Sequence, residues 1–108
     1  MRYVIAIAAV FLLGGAFLAD AADDAAAEAL MKKSKCFTCH SVDKKKDGPS
    51  YKEVAAKYKG KADAEDKLYK HLTTHPVVEY DGKKEKHESL KTTDDKEIRN
   101  AVSFILSR

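Results

Sequence analysis

Both cysteines of this chain lie in one five-residue segment, Cys36-Phe37-Thr38-Cys39-His40. Two cysteines that are separated by two residues and followed directly by a histidine have the spacing by which c-type haem is attached to protein. Thiols at this spacing lie on one turn, so each can form a thioether to a haem vinyl group, and the imidazole that follows can bind the iron. The segment therefore predicts one covalently bound haem c, held by Cys36 and Cys39, with His40 as the proximal iron ligand.

The same residues allow three other interpretations. A thioredoxin-like redox site requires a βαβ context, and the sequence predicts no strands around this segment. A zinc site could combine Cys36 and Cys39 with His71 and His75, which have the spacing of zinc-finger histidines, but the distance along the chain from Cys39 to His71 far exceeds a finger. A local disulfide would leave His40 without a role. Haem attachment is the interpretation that uses all three residues of the motif.

The N-terminus has the pattern of a secretory signal peptide. Met1-Arg2 is a basic start, residues 3–18 are uncharged and mostly apolar, and Ala19-Asp20-Ala21 has the small-x-small pattern that signal peptidase cleaves. The apolar run is shorter than the roughly 20 residues that a membrane-spanning helix needs. We therefore expect residues 1–21 to be removed as a signal peptide. The single domain that remains, residues 22–108, is expected in a bacterial periplasm without stable membrane insertion.

The composition of the 108-residue chain excludes several classes of protein. A chain this short forms one small domain with a modest core, and it contains neither a phosphate-binding loop nor a dinucleotide fingerprint. The formal net charge is only +3, and the lysines are interspersed with acidic residues, which is not the pattern of a nucleic-acid-binding face. Outside the haem motif, nothing assembles a nucleophile, a base and an oxyanion site. We therefore expect neither nucleic-acid binding nor enzymatic activity.

Four helices are predicted from apolar periodicity and capping residues. They cover residues 25 to about 35, 50–59, 64 to about 74, and a last helix that begins at Asp94. The last helix has a capping box formed by Asp94 and Glu97. Its apolar stripe comprises Ile98, Ala101, Val102, Ile105 and Leu106. Residues 77–82 can form a small hairpin, because Asp81-Gly82 suits a type I′ turn. The predicted fold is all-α, and its helices must position the cysteines and histidines.

Over nearly all of residues 23–108, the sequence resembles the small bacterial class I c-type cytochromes, the monohaem proteins often called c-551 or c-552. The resemblance rests on the haem-attachment segment, the apolar last helix, Gly48-Pro49 with Tyr51, and Val54-Ala55-Ala56-Lys57-Tyr58. It implies a class I cytochrome c fold, in which about four helices wrap around one covalently bound haem c. It also implies that the carbonyl oxygen of Pro49 accepts the Nδ1–H of His40, which fixes the tautomer of that imidazole.

The chain departs from this family at the sixth iron ligand, which the family usually takes from a methionine in the loop before the last helix. Met1 is removed with the predicted signal peptide, and Met31 lies on the first helix, where we expect it to pack against the last helix. When the start of the last helix is placed on the corresponding family segment, His87 falls where the methionine normally stands. His87 is therefore our first prediction for the distal ligand, although its charged neighbours are typical of a solvated loop.

Other residues remain candidates for the sixth position. His75 is the second candidate because it opens the same irregular loop, although it is equally compatible with a helix C-terminal histidine that interacts with the helix dipole. His71, on the third helix, is expected to be a surface residue. A lysine ligand would have to bind in its neutral form, which costs more than it does for histidine. The lysines concerned are Lys83, Lys84 and Lys86. An open sixth position is the remaining alternative.

The sixth ligand determines the expected function. An iron with two imidazole ligands changes charge with little rearrangement and leaves no place for a substrate, whereas histidine in place of methionine lowers the reduction potential. We therefore expect a low-potential periplasmic carrier of single electrons. The alternatives are a haem protein whose open or displaceable sixth site binds a small ligand, and the cytochrome subunit of a dehydrogenase complex.

The surroundings of the haem are also predicted. Lysines beside the attachment segment (Lys32, Lys33 and Lys35) are expected to favour redox partners with an acidic docking surface. The side chains expected to bury the haem are Phe37, Val54, Tyr58, Leu68, Leu72 and Ile105. Because the haem would complete this small core, we expect that the chain does not fold stably without it.

Overall fold

The computed structural model describes residues 18–108, and their side chains from Asp23 onward. The elements in chain order are α1 (Leu18–Lys33), α2 (Tyr51–Tyr58), α3 (Ala64–Thr73), β1 (Val77–Tyr80), β2 (Lys83–Lys86) and α4 (Asp95–Leu106). The predicted helices are therefore confirmed in number and order for this part of the chain, and the fold is mostly helical with one small sheet. None of the helices in residues 18–108 has the length and apolar character required to cross a membrane.

The predicted signal peptide, residues 1–21, lies outside the described residues except for its last four, which form the first turn of α1. Its cleavage therefore stays a prediction. We expected the first helix to begin at Ala25, but α1 already begins at Leu18. The residues between these two positions are alanine and aspartate, without glycine or proline. Because leucine and alanine are strong helix formers, nothing in this stretch prevents the helix from extending towards the N-terminus.

The core lies where α4 packs against α1, α2 and α3. Five side chains of α4 are buried in it: Ile98, Ala101, Val102, Phe104 and Ile105. Four of them belong to the predicted apolar stripe, whereas the fifth member of that stripe, Leu106, is only half-buried. Met31 of α1 is 1% exposed and belongs to the same apolar cluster, which confirms that it is a core residue. α4 is thus the element around which the other helices are arranged.

Side-chain caps fix where α2 and α4 begin. The hydroxyl of Ser50 accepts a hydrogen bond from the backbone N–H of Glu53, at 3.1 Å. The carboxylate of Asp94 accepts one from the backbone N–H of Glu97, at 3.0 Å, as predicted from the sequence. Each cap satisfies a backbone donor that has no partner within the helix. The two caps fix the start of α2 directly after Pro49, and that of α4 after the loop that carries His87.

The hairpin joins α3 to the loop before α4. Val77 pairs with Lys86 and Tyr80 with Lys83 in antiparallel register. Asp81 and Gly82 have φ angles of 51° and 74°, and this pair of positive values is that of the predicted type I′ turn. Exposure alternates along β1, so that every second side chain is partly buried. The half-buried side of β1 faces the functional site described below.

The loop after the hairpin is fixed to α1 and α3. The backbone N–H of Leu90 donates to the carbonyl oxygen of Leu72 at 2.9 Å. The backbone N–H of Lys91 donates to the hydroxyl oxygen of Ser34 at 2.9 Å, and that hydroxyl donates to the carbonyl oxygen of Leu30 at 2.8 Å. Ser34 is 1% exposed, so water does not compete for these bonds. The chain that carries His87 is therefore held a few residues downstream of that histidine.

Candidate functional site

A cleft of about 810 Å³ opens between the Cys36–His40 segment, α2, α3, the hairpin and α4. This volume is typical of a site for a small molecule or cofactor. Its lining includes both cysteines, three imidazoles and several apolar or aromatic side chains: Cys36, Cys39, His40, His71, His87, Val54, Tyr58, Leu68, Leu72, Val78 and Ile105. The thiols and imidazoles therefore share one cavity whose lining is mostly apolar.

The attachment segment leaves α1 through a sharp turn. Lys35 has a left-handed backbone, with a φ angle of 63°, and one turn of 3-10 helix follows over Cys36–Thr38. The backbone N–H of His40 donates to the carbonyl oxygen of Cys36 at 3.0 Å, so the motif is a closed turn. Cys36 and Cys39 are half-buried free thiols, and the disulfide interpretation is therefore wrong for this structure. Burial raises the pKa of the Cys36 thiol.

The zinc interpretation is not supported either. In the part of the chain from residue 18 onward, no group of three or more histidine, cysteine or acidic side chains is close enough together to hold a metal ion. His75, one of the four residues of that hypothetical site, is exposed and does not line the cleft. The cysteines share the cleft with His71 but not with His75, so a Cys2His2 set is not assembled.

Three neighbours fix the imidazole of His40. Its Nδ1–H donates to the carbonyl oxygen of Pro49 at 2.7 Å, which is the hydrogen bond that the resemblance implies. The ring of Tyr51 stacks on it, with ring centres 5.1 Å apart and planes 23° apart. Gly48 lies directly against the imidazole ring. A Cβ built at this position would lie only 2.7 Å from Nδ1 and 2.9 Å from Nε2. With Nδ1 used by Pro49, Nε2 is the nitrogen that remains to bind a metal.

His87 lies across the cleft from His40. The two ring centres are 6.0 Å apart and the ring planes differ by 52°. Two imidazoles whose nitrogens each bind one metal ion at about 2 Å from opposite sides have ring centres about 6 Å apart. The Nδ1 atom of His87 is buried and has no hydrogen-bond partner among the described residues. Burial lowers the pKa of His87, which favours the neutral imidazole that binds metals. The separation of the two rings would therefore allow His40 and His87 to hold one metal ion between them.

His71 is not the surface residue that we predicted. It is half-buried, lines the cleft, and its ring centre lies 4.3 Å from that of His87. The reason is helical periodicity: His71 follows the buried Leu68 by three positions and therefore shares its face of α3. Burial, followed by the charges of His87, His40 and Lys57, lowers the pKa of His71 to about 4. The imidazole is therefore neutral at neutral pH. Leu68 and Leu72, which the sequence analysis expects to bury the haem, could have indicated this orientation.

His75 and the lysine candidates lie less favourably for iron binding. His75 is exposed, has a φ angle of 48°, and its Nδ1–H donates to the carbonyl oxygen of His87 at 3.1 Å. It therefore supports the backbone of the loop from outside the cleft. Lys83 and Lys84 are exposed on β2 and do not line the cleft, whereas Lys86 does. The positions of these residues therefore favour His87 over His75 as the distal ligand. His71 lines the cleft, whereas His75, the second candidate from the sequence, does not.

The predicted haem-burying side chains surround the cleft with one exception. Val54, Tyr58, Leu68, Leu72 and Ile105 line it, whereas Phe37 packs edge-on against Tyr51, with ring centres 6.0 Å apart. The ring of Tyr58 has the ammonium groups of Lys57 and Lys61 at 5.6 and 5.9 Å from its centre.

The charges that line the cleft are of both signs. The basic residues are Lys35, Lys57 and Lys86, and the acidic residues are Asp47, Glu53, Glu79, Glu85 and Glu88. Of the three lysines expected beside the attachment segment, only Lys35 lines the cleft, whereas Lys32 and Lys33 are exposed on α1. Lys32 and Lys33 are therefore not part of the cleft lining.

Comparison with known proteins shows which family the chain is similar to. The family model "Cytochrome c" matches residues 25–108. Cytochrome c-551 from Pseudomonas aeruginosa is 46% identical over 57 residues, which are 53% of this chain and 55% of that protein. Cytochrome c-552 from Hydrogenobacter thermophilus is 40% identical over 68 residues, which are 63% of this chain and 61% of that protein. The chain therefore matches less than two thirds of the length of these curated relatives.

A solved structure is similar over more of its length. The crystal structure of the class 1 cytochrome MtoD from Sideroxydans lithotrophicus ES-1 is 48% identical, with a TM-score of 0.74. The match covers 77% of this chain and 92% of that one. A likeness of this extent confirms the class I fold that the sequence implied.

Proposed function

Because the chain belongs to the cytochrome c family, we propose that it is a periplasmic carrier of single electrons whose haem iron is bound by His40 and His87. The family carries one covalently bound haem c. In this chain, the thiols of Cys36 and Cys39 are the only cysteines available for the two thioethers. Haem supplies a redox-active iron, and the chain supplies the attachment, the axial ligands and an apolar cavity.

One observation carries the proposal: the imidazoles of His40 and His87 face each other with ring centres 6.0 Å apart. Each of the two residues has contacts that hold it in its resting position. Pro49 and Tyr51 orient the ring of His40. The backbone N–H of His87 donates to the carbonyl oxygen of Pro76 at 2.7 Å. Ligands that are fixed before electron transfer need little rearrangement when the charge of the iron changes, and two fixed ligands leave no position for a substrate.

The ligand pair also determines the reduction potential. An imidazole in place of the usual methionine stabilises the ferric state, so we expect a lower potential than that of a His/Met cytochrome of this family. The apolar lining of the cleft acts in the opposite direction, because it disfavours the additional positive charge of the ferric haem. We expect the change of ligand to dominate the difference.

The proposed cellular location and redox partner are supported by residues outside the cleft. The signal-peptide pattern of residues 1–21 supports export to the periplasm. Lys32 and Lys33, exposed on α1, together with Lys35, support docking of an acidic redox partner on that side of the cleft. Such a carrier works as a free shuttle or as the cytochrome subunit of a dehydrogenase complex. Mass spectrometry of the exported protein tests whether the signal peptide is removed, and Ala22 is the expected N-terminal residue.

Electron paramagnetic resonance of the ferric protein, produced in cells that attach haem c, tests the ligand pair. We expect a low-spin signal typical of two imidazole ligands. His87→Ala is expected to shift the g values of this signal, and His87→Met is expected to raise the potential in a redox titration. His75→Asn is the matched control, because it alters a nearby histidine that does not line the cleft. A high-spin signal in the unmodified protein would refute the proposed ligation and favour a small-ligand-binding role.

A further inference from the structure

The cleft contains three imidazoles, whereas a haem iron has only two axial positions. His40 and His87 account for these two positions in the proposed function. The imidazole of His71 has no role there, although its ring centre lies 4.3 Å from that of His87 with the planes 53° apart. Burying part of a polar imidazole among apolar side chains costs free energy of folding unless its nitrogens bind a hydrogen-bond partner or a metal. Its position beside the distal ligand therefore needs an explanation.

His71 and His87 are held by different kinds of structure. His71 belongs to α3 and is flanked there by Leu68 and Leu72, which are buried in the core. His87 belongs to the loop that follows the exposed strand β2. Because a helix in the core opens less readily than a loop beside an exposed hairpin, His87 is the imidazole that is displaced more easily. His71 remains beside the cleft when that happens.

The distance between the two rings is short enough for an exchange. If the ring of His87 leaves its position, the ring of His71 has to move about the 4.3 Å that now separates their centres. A change of side-chain rotamer moves an imidazole by a distance of this order without moving the helix. In the exchange, one iron–nitrogen bond breaks and another forms. Both imidazoles are neutral, so no proton or electron has to be supplied.

We propose that His71 is a reserve distal ligand, which binds the haem iron when His87 is displaced or absent. The proposal rests on the proposed function, because it assumes that His87 normally occupies the distal position. It predicts that loss of His87 does not open the iron to solvent or to small ligands. The protein would thus keep two imidazole ligands, and its role as an electron carrier, while the hairpin and its loop move.

Four holoproteins distinguish the possibilities: the unmodified protein, His71→Ala, His87→Ala and the double variant. Electron paramagnetic resonance and absorption spectra report the spin state of each ferric protein, and circular dichroism reports whether it is folded. We expect low-spin spectra for both single variants and a high-spin spectrum for the double variant. Added imidazole should return the double variant to low spin, which shows that its cleft is intact. His75→Asn serves as the control for a histidine outside the cleft.

Imidazole binding gives a quantitative measure of the same exchange. If His71 occupies the iron in nine of ten molecules of His87→Ala, the apparent affinity for added imidazole is about tenfold weaker than in the double variant. Equal affinities, or a high-spin spectrum of His87→Ala alone, would overturn the reserve role and leave the proposed function intact. A low-spin double variant would also overturn it, because another residue would then be the replacement ligand. A high-spin His71→Ala would instead identify His71 as the normal ligand and overturn both proposals.

Discussion

Replacing Gly48 with alanine tests how tightly the proximal imidazole is held. A Cβ at this position would lie 2.7 Å from Nδ1 of His40 and 2.9 Å from Nε2, and closer still to Cε1. These distances are well below an ordinary carbon–nitrogen contact, so either the ring or the loop has to move. The ring cannot move freely, because Nδ1 is bonded to Pro49 and the ring stacks on Tyr51. The substitution therefore disturbs a ligand that has no room to adjust.

The expected loss of stability in Gly48→Ala is the difference between two opposing contributions. One additional methyl group in a tightly packed site lowers the free energy of unfolding by about 1–3 kcal/mol. Replacing glycine by alanine raises it by about 0.4–1 kcal/mol, because alanine reduces the conformational entropy of the unfolded chain. The expected net loss is about 1–2 kcal/mol, which corresponds to a Tm lower by about 5–15 °C for a domain of this size. The shifted ring should also change the g values of the ferric signal. Thermal unfolding of the holoprotein and electron paramagnetic resonance measure the two effects.

Gly60→Ala is the matched control for this prediction. Gly60 has a φ angle of 75°, but no atom lies within 4 Å of a Cβ built there. Alanine at this position costs about 1–2 kcal/mol of backbone strain, so stability should fall while the ferric signal stays unchanged. If Gly48→Ala left both the Tm and the ferric signal unchanged, His40 would not be held against Gly48. The reasoning on the proximal side of the cleft would then be wrong.

Three further substitutions test the supports of the site. His75→Gly removes the hydrogen bond to the carbonyl oxygen of His87, although glycine adopts the positive φ angle of this position without strain. His75→Asn can keep both the hydrogen bond and the φ angle. The glycine variant should therefore lose its low-spin signal at a lower guanidinium concentration than the asparagine variant. Ser34→Ala leaves the backbone N–H of Lys91 without its buried acceptor and should cost about 1–3 kcal/mol in chemical denaturation. Asp94→Ala removes the cap of α4 and should cost about 0.5–2 kcal/mol, measured in the same way.

Each of these expectations has a contrary outcome. Equal denaturation midpoints for the glycine and asparagine variants at residue 75 would show that the hydrogen bond to His87 contributes nothing to the distal side. Unchanged stability of Ser34→Ala would mean that the loop before α4 is not anchored through this hydroxyl. Asp94→Asn is the control for the cap, because asparagine is an equally good N-cap residue and should retain most of the stability.

The helices and the proximal half of the site could be predicted from sequence because local patterns determine them. The spacing of Cys36, Cys39 and His40 identifies the attachment segment, and the Asp81-Gly82 pair predicts the turn of the hairpin. The start of α1 could not be located, because alanine extends a helix readily and an aspartate is favourable both as the N-cap and within the first turn. The contact of Gly48 with His40 depends on the path of a loop, and no local pattern specifies it.

The distal half of the site shows where local patterns are insufficient. His87 stands in a charged segment, and only its alignment with a methionine of the family indicated a buried role. The immediate neighbours of His71, Lys70 and Leu72, do not indicate burial, but Leu68, one helical turn earlier, lies on the same face and is buried. The two imidazoles meet because α3 and the loop after β2 converge on one cleft. Their proximity is therefore a property of tertiary packing, and the proposed exchange of ligands between them rests on that proximity.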